Sequence, residues 1–304
     1  MRRAWLWLIV AILAFAAPAA RAAELWETVP DPKPLPAHLN AHRVEHDGVS
    51  IWYATLGQGA PVILLHPGDG SSELWGGQAP ALIAAHRRVI LIDSRGHGRS
   101  TWDGAPLHYE AMAGDVLAVM DALHLKRSAV VGWSDGAIVG LILAMKAPDR
   151  VSRIYAFGAN MDLVGLNITG AFAPTVGPSG ELMKRIYQRI SPTPDNWDAF
   201  SGAVLEMQLR EPNYSADDLA RIRVKRIAIA DGEHEEFITR THTDYLAATI
   251  RGAKLMILPN VSHFAPLQDP NGFNASMVGF LGTGTVRRPA AKPVSGAMPA
   301  ATPK

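Results

Sequence analysis

Gly132-Trp133-Ser134-Asp135-Gly136 holds a serine between two glycines. That spacing lets a hydroxyl stand on a sharp strand-to-helix turn, where a side chain at either glycine position would collide with backbone. A serine attacks a carbonyl only when a base takes its proton. Three histidines follow the serine along the chain, His234, His242 and His263. His242 falls inside a helical stretch and His234 inside an acidic loop. His263 lies in Pro259-Asn260-Val261-Ser262-His263-Phe264-Ala265-Pro266, just past the last apolar strand, and is the expected base. Carboxylates able to orient it stand at Glu235 and Asp231, in the loop Asp231-Gly232-Glu233-His234-Glu235-Glu236, and at Asp162.

An acyl-transfer centre also needs N–H donors for the oxyanion. His66-Pro67-Gly68-Asp69-Gly70 closes an apolar run; Pro67 has no N–H, so Gly68 is the expected first donor. The second is the N–H of Asp135, at a helix N-terminus whose dipole favours negative charge. Other chemistries fit poorly. Asp93-Ser94-Arg95-Gly96-His97-Gly98-Arg99-Ser100 contains Gly-x-Gly, but Thr101 stands where a dinucleotide fingerprint needs its third glycine, and no Walker A pattern occurs. His234-Glu235 opens like a zinc-protease motif, yet position 238 is Ile. The chain has no cysteine, which removes disulfides, thiolate metal sites and a thiol nucleophile. No metal and no cofactor is expected. Trp75, Trp133 and Phe264 either line an acyl pocket or belong to the core, and Asp115 and Asp121 read as structural or solvated.

The elements that would carry these residues follow from the apolar pattern. Val49–Leu56, Pro61–His66, Arg88–Asp93, Ser128–Gly132, Arg153–Gly158, Lys225–Ala230 and Ala253–Leu258 read as strands. Val62-Ile63-Leu64-Leu65 is apolar on both faces, as in a parallel sheet covered on both sides. Helical periodicity marks Tyr109–Leu123, Asp135–Lys146, Thr239–Ile250 and Asn271–Leu281. The alternation predicts an α/β fold with a doubly wound, mostly parallel sheet. It breaks between Asn160 and Arg223, where Glu181–Ile190, Trp197–Leu209 and Asp217–Ile222 are helical with no strand between them. Residues 160–223 are therefore expected to form a helical cap over the ligand site.

With 304 residues, 48% of them hydrophobic, the chain can bury a large core. Arg2 and Arg3, an apolar run over Ala4–Ala17, and Ala20-Arg21-Ala22 have the layout of a signal peptide over residues 1–22, with the cut after Ala22. The run is shorter than the ~20 residues of a spanning helix. Export to the periplasm or the medium, without a lasting membrane anchor, is the expectation. Residues 283–304 have four basic residues, no acids and many Pro and Ala, the composition of a disordered tail. Setting aside these four and the three basic residues of 1–22 leaves 22 Lys and Arg against 28 Asp and Glu over 23–282, a net of −6. An acidic body argues against nucleic acid as a partner. The pattern carries no signature of an oligomer.

Taken together, the Gly132–Gly136 turn, the His66–Gly70 and Asp93–Ser100 segments and the His263 loop, in this order, resemble the α/β-hydrolase fold superfamily over roughly residues 40–281. The turn is similar to that of valacyclovir hydrolase-like bacterial serine hydrolases. The resemblance implies the α/β-hydrolase type of sheet and places the acid three residues after Gly232, at Glu235, where the family more often has Asp. Asp231 is the alternative and Asp162 a more distant one. It also implies hydrolysis of a small carboxylic ester, an amino-acid ester or an amide-like bond, through an acyl-enzyme on Ser134. The subgroup implies that Asp135 pairs with a substrate ammonium. Dehalogenase chemistry fits poorly, because those relatives carry Asp where this chain has Ser134. The competing expectations are a ligand-binding relative with negligible turnover and cofactor-free perhydrolysis or C–C bond hydrolysis.

Overall fold

The computed structural model describes residues 22–284. The expected signal peptide, apart from Ala22, and the expected tail beyond Gly284 lie outside the described residues. Eight strands form one sheet: β1 (Asn40–His46), β2 (Val49–Leu56), β3 (Ala60–Leu65), β4 (Arg87–Ile92), β5 (Ser128–Trp133), β6 (Val151–Phe157), β7 (Ile227–Gly232) and β8 (Ala253–Leu258). Their order is β1-β2-β4-β3-β5-β6-β7-β8. β2 runs antiparallel to β1 and β4, and the remaining pairs are parallel. The helices are α1 (Ala79–Ala84), α2 (Tyr109–Ala122), α3 (Asp135–Lys146), α4 (Val176–Ile190), α5 (Trp197–Gln208), α6 (Ala216–Ala220), α7 (Arg240–Thr249), α8 (Ala265–Gln268) and α9 (Pro270–Leu281).

Val62 to Leu65 are 0–1% exposed, as a central strand covered on both faces requires. Side chains alternate along a strand, so Ile63 and Leu65 enter one apolar cluster and Val62 and Leu64 the other. The first cluster packs on Val116 and Val119 of α2 and on Ile138 and Leu141 of α3, the second on Leu82 of α1 and Phe273 and Met277 of α9. Each side chain of this size contributes roughly 1.5–3 kcal/mol on burial. The connection that leaves β3 goes to β4 on one side, and the connection that leaves the neighbouring β5 goes to β6 on the other. This switch point brings the carboxyl ends of β3 and β5 together, where an open α/β sheet leaves a crevice.

β1 is absent from the strands that the apolar runs predict. Most of its residues are exposed, and Val44 is its one residue packed against the core. Its legible signal is Asp47-Gly48, with φ of 45° and 79°, a two-residue turn joining His46 to Val49. Between β6 and β7 the chain leaves the sheet for α4, α5 and α6. α4 starts at Val176, ahead of Glu181, because Gly177, Pro178 and Gly180 fall within its opening turns, where proline is tolerated. At the other end Gly284 still lies on the body, its N–H donating to Ala85 O at 2.9 Å.

Candidate active site

Ser134 joins β5 to α3 with φ 54° and ψ −120°, a region that non-glycine residues rarely occupy and that stores strain. A Cβ on Gly132 would stand 2.3 Å from Gly136 O, and one on Gly136 would stand 2.2 Å from Leu65 O. Both glycines are therefore dictated by close backbone approach. From Ser128 to Ala144 every residue is buried except Ser134. The turn lifts one hydroxyl out of an otherwise closed core.

His263 sits between β8 and α8, with Nδ1 2.8 and 2.9 Å from the two carboxylate oxygens of Glu235. The two side chains are only 6% and 5% exposed. Three further contacts fix the ring. The backbone N–H of His263 donates to Glu236 Oε2 at 2.9 Å, Phe237 meets the imidazole edge to face at 4.9 Å, and the ring lies so close to Gly158 that a Cβ there would stand 2.7 Å from His263 Cε1. With Nδ1 held by the carboxylate, Nε2 is the nitrogen left for proton transfer.

The remaining candidates are engaged elsewhere. His242 Nε2 accepts the Met161 N–H at 3.0 Å, and His234 stacks on Trp26 at 4.5 Å. Asp162 caps a short turn by accepting the Gly165 N–H at 3.1 Å. Asp231 lies near the end of β7, 1% exposed, with its carboxyl group hydrogen-bonded to that of Glu235. Glu233 is exposed and accepts the Asn260 N–H at 2.9 Å.

Burial is the main cause of the shifted acidities. It pushes the Glu235 carboxyl up to about 7, against hydrogen bonds from Asp231, Phe237 N–H and Ile238 N–H, while the Glu236 charge adds to the rise. Burial also lowers the pKa of His263, opposed by Glu236, Asp231 and Asp135. The imidazole is thus neutral near pH 7, the form that accepts a proton.

β3 and β5 pair Leu65 with Gly132, which sets the Gly68 segment beside the serine turn. The N–H of Asp135 opens α3 and has no partner four residues back in the helix. The loop carrying Gly68 is braced from below. His66 Nε2 accepts the Ser94 N–H at 3.0 Å, so its Nδ1 donates to Pro67 O at 2.8 Å. Asp93, fully buried, accepts the N–H groups of Ser72 and Arg99 at 2.7 and 2.8 Å. The Gly-x-Gly segment after β4 is accordingly a brace for the neighbouring loop. Asp115 is buried in a bidentate pair with Arg95, both bonds 2.7 Å, whereas Asp121 is exposed and pairs with Arg150. Trp75, Trp133 and Phe264 belong to the core cluster rather than to an acyl pocket.

Sequence reasoning missed the groups that hold the Asp135 side chain. Its carboxylate accepts Tyr109 Oη–H at 2.9 Å and the Gln208 amide at 3.1 and 3.2 Å. A Cβ on Gly68 would lie 2.6 Å from Asp135 Oδ2, so the carboxylate tucks against the Gly68 backbone. Burial pushes Asp135 up to about 6. Asp69, which accepts Ser201 Oγ–H at 3.0 Å, is pushed up to about 7 by burial and by the Asp135 charge. Its Oδ1 is buried without a partner among the described residues. Tyr109, Ser201 and Gln208 come from distant helices, and no spacing in the chain announces their convergence. Among the described residues no cluster of His, Asp and Glu suits a metal ion, and no helix is long and apolar enough to cross a membrane.

A serine on a strained strand-to-helix turn at a sheet switch point, with a carboxylate-bound histidine, defines a hydrolase-type site. The family model for the alpha/beta hydrolase fold matches residues 60–172. RutD of Azorhizobium caulinodans, named as a candidate carbamate hydrolase, is 30% identical over 271 residues, spanning 78% of this chain and 97% of the relative. The human serine hydrolase BPHL is 28% identical over 256 residues, spanning 80% and 87%. A solved hydrolase from Pseudomonas aeruginosa superposes with a TM-score of 0.65 at 26% identity, covering 80% of this chain and 99% of that one. The chain belongs to the α/β-hydrolase superfamily, and its relatives make it a hydrolase.

Proposed function

We propose that the chain is an exported serine hydrolase of small carboxylic esters, with Ser134, His263 and Glu235 as its catalytic triad. The observation that carries this reading is Ser134 itself, the one residue raised from a buried stretch, on a turn that only glycines permit. Ser134 Oγ attacks the ester carbonyl while His263 Nε2 takes its proton. The C–O bond to the leaving alcohol then breaks as His263 returns that proton to the alkoxide. Water repeats the two steps and frees the acid. Glu235 holds the imidazole tautomer and stabilises the imidazolium. The N–H groups of Gly68 and Asp135 receive the oxyanion. Export rests on the pattern of residues 1–22, and N-terminal sequencing of fractionated cells tests it.

The Asp135 carboxylate supports a narrower substrate class. A buried anion beside an oxyanion opposes the transition state of a neutral ester, and an ammonium on the acyl side removes that opposition. Amino-acid esters therefore fit better than simple ones. A serine-directed fluorophosphonate, used with a panel of esters, tests the whole reading. Wild type should be labelled and turn over, and Ser134→Ala should do neither. Labelling without turnover of any ester would leave a ligand-binding relative or the perhydrolase and C–C hydrolase alternatives.

A further inference from the structure

Asp231 is a buried carboxyl group to which the mechanism above gives no task. It is the penultimate residue of β7, just before the Glu235 loop, and its Oδ2 accepts Thr243 Oγ–H of α7 at 2.6 Å. Oδ1 accepts the N–H of the adjoining Gly232 at 3.0 Å. No lysine or arginine pairs with it among the described residues. Its remaining contact is a hydrogen bond with the carboxyl group of Glu235. Ionised carboxylates only accept hydrogen bonds, so a bond between two carboxyl groups requires that one of them keep a proton.

The surroundings decide which one keeps it. Glu235 faces His263 Nδ1 at 2.8 Å and the N–H groups of Phe237 and Ile238 at 2.8 and 3.2 Å, three donors that favour the charged form. Asp231 has one hydroxyl and one N–H from the adjoining residue. The charged or titratable groups around the pair are Glu235 and Glu236 in the loop after β7 and His263 after β8, with Asp135 of α3 acting on the imidazole. The Glu235 charge opposes ionisation of Asp231, and the Thr243 hydroxyl and His263 offset it in part. Burial first, and then the Glu235 charge, raise its pKa well above the carboxylate range.

We propose that Asp231 is a neutral carboxylic acid that donates its proton in a hydrogen bond to Glu235, a positioning residue one step behind the triad. This rests on Glu235 being the triad acid. The donated bond offsets part of the burial that drives Glu235 towards its protonated form, and so keeps the imidazole partner ionised at the pH where the base works. Asp231 touches no substrate. Its effect reaches Ser134 only through Glu235 and His263.

The test compares Asp231→Asn, Asp231→Ala and Glu235→Gln with wild type. It uses the pH profile of kcat/KM on a p-nitrophenyl ester, with melting temperatures to check folding and infrared difference spectra of the carboxyl region at pH 8. An asparagine amide donates to Glu235 and accepts from Thr243, so Asp231→Asn should keep kcat within roughly 3-fold and leave the acid limb in place. Asp231→Ala removes the donor; its acid limb should move up by about one pH unit and kcat should fall ~10-fold with KM little changed. Wild type should show the infrared band of a protonated buried acid, and Asp231→Asn should lack it. Equal damage from Asn and Ala, or no such band, would overturn the proposal. The infrared result stands even if no ester is turned over, so failure of the hydrolase reading is separately visible. If Glu235→Gln is active and Asp231→Asn is not, Asp231 is the triad acid and the assignment of Glu235 falls with the proposal.

Discussion

Two buried carboxyl pairs flank Ser134, and they are held in different ways. Asp231 and Glu235 are fixed by β7, by the loop that follows it and by α7, all tied directly to the sheet. Asp69 and Asp135 are fixed in part by Ser201 and Gln208 of α5, which belongs to the segment between β6 and β7. Glu235 of the first pair binds His263, and the second pair binds α5. On the proposed triad, the proton-transfer groups hang from the strands and their adjoining loops, while the charge beside the substrate depends also on α5.

The comparison is broken most severely at its centre. Ser134→Ala and His263→Ala should each lower ester turnover by ~10³-fold or more while leaving the melting temperature near that of wild type. Residual activity near the wild-type level in either variant would remove the triad assignment from both sides at once. Next in size is Glu235→Gln, which keeps the shape of the first pair but removes its charge, and should cost roughly 10²-fold or more in kcat.

Smaller effects sharpen the contrast. Asp135→Asn should lower kcat/KM for amino-acid esters by ~10-fold, a coupling of about 1.4 kcal/mol, while sparing or improving neutral esters. Equal loss on both classes would reduce Asp135 to its favourable place in the first turn of α3. Gln208→Ala should move the same ratio in the same direction by a smaller factor, measured on matched ester pairs. Acidity gives a stability test of the second pair. Asp69 has a folded pKa raised to about 7, so its neutral form is the one the fold favours. The stability it contributes is present at low pH and lost as pH rises through about 7. Asp69→Asn should therefore raise the melting temperature by about 2–4 °C at pH 8 and leave it unchanged at pH 4. The smallest effect should come from ending the chain after Gly284, which retains the Gly284 bond to Ala85 and should change neither activity nor melting temperature.

What was legible in the sequence follows a physical rule. Buried parallel strands leave continuous apolar runs, so β3 through β7 are readable within about a residue or two; β8 is readable from its apolar run although only Leu258 of it is buried, whereas the exposed β1 leaves almost no trace beyond Asp47-Gly48. The serine turn is readable because steric crowding demands glycine at fixed offsets. Glu235 is readable only through its distance from Gly232. Asp69, Tyr109 and Gln208 are not readable, because a buried polar contact between distant helices imposes no local pattern on any of them. Asp231 shows the same limit differently. Its residue type marks it as an acid, but only its lack of a cationic partner and its contact with Glu235 turn it into a donor.

The loop that carries His263 is also fastened to the beginning of the described chain. Gln268 donates to Thr28 O at 2.8 Å across 240 residues and to Ser262 Oγ at 2.9 Å, while Trp26 stacks on His234. Contacts of such sequence separation form late, since most of the chain must be ordered before they close. On an elongating polypeptide the backbone of the serine turn has its partner once β6 is made, because Ser134 N–H reaches Phe157 O, whereas the Asp135 side chain waits for Gln208 of α5. The histidine loop has its partners only when the last two helices have emerged and met residues 26–28. On the proposed assignment, the backbone setting of Ser134 can therefore form before the segment that carries Glu235 and His263 has joined the sheet.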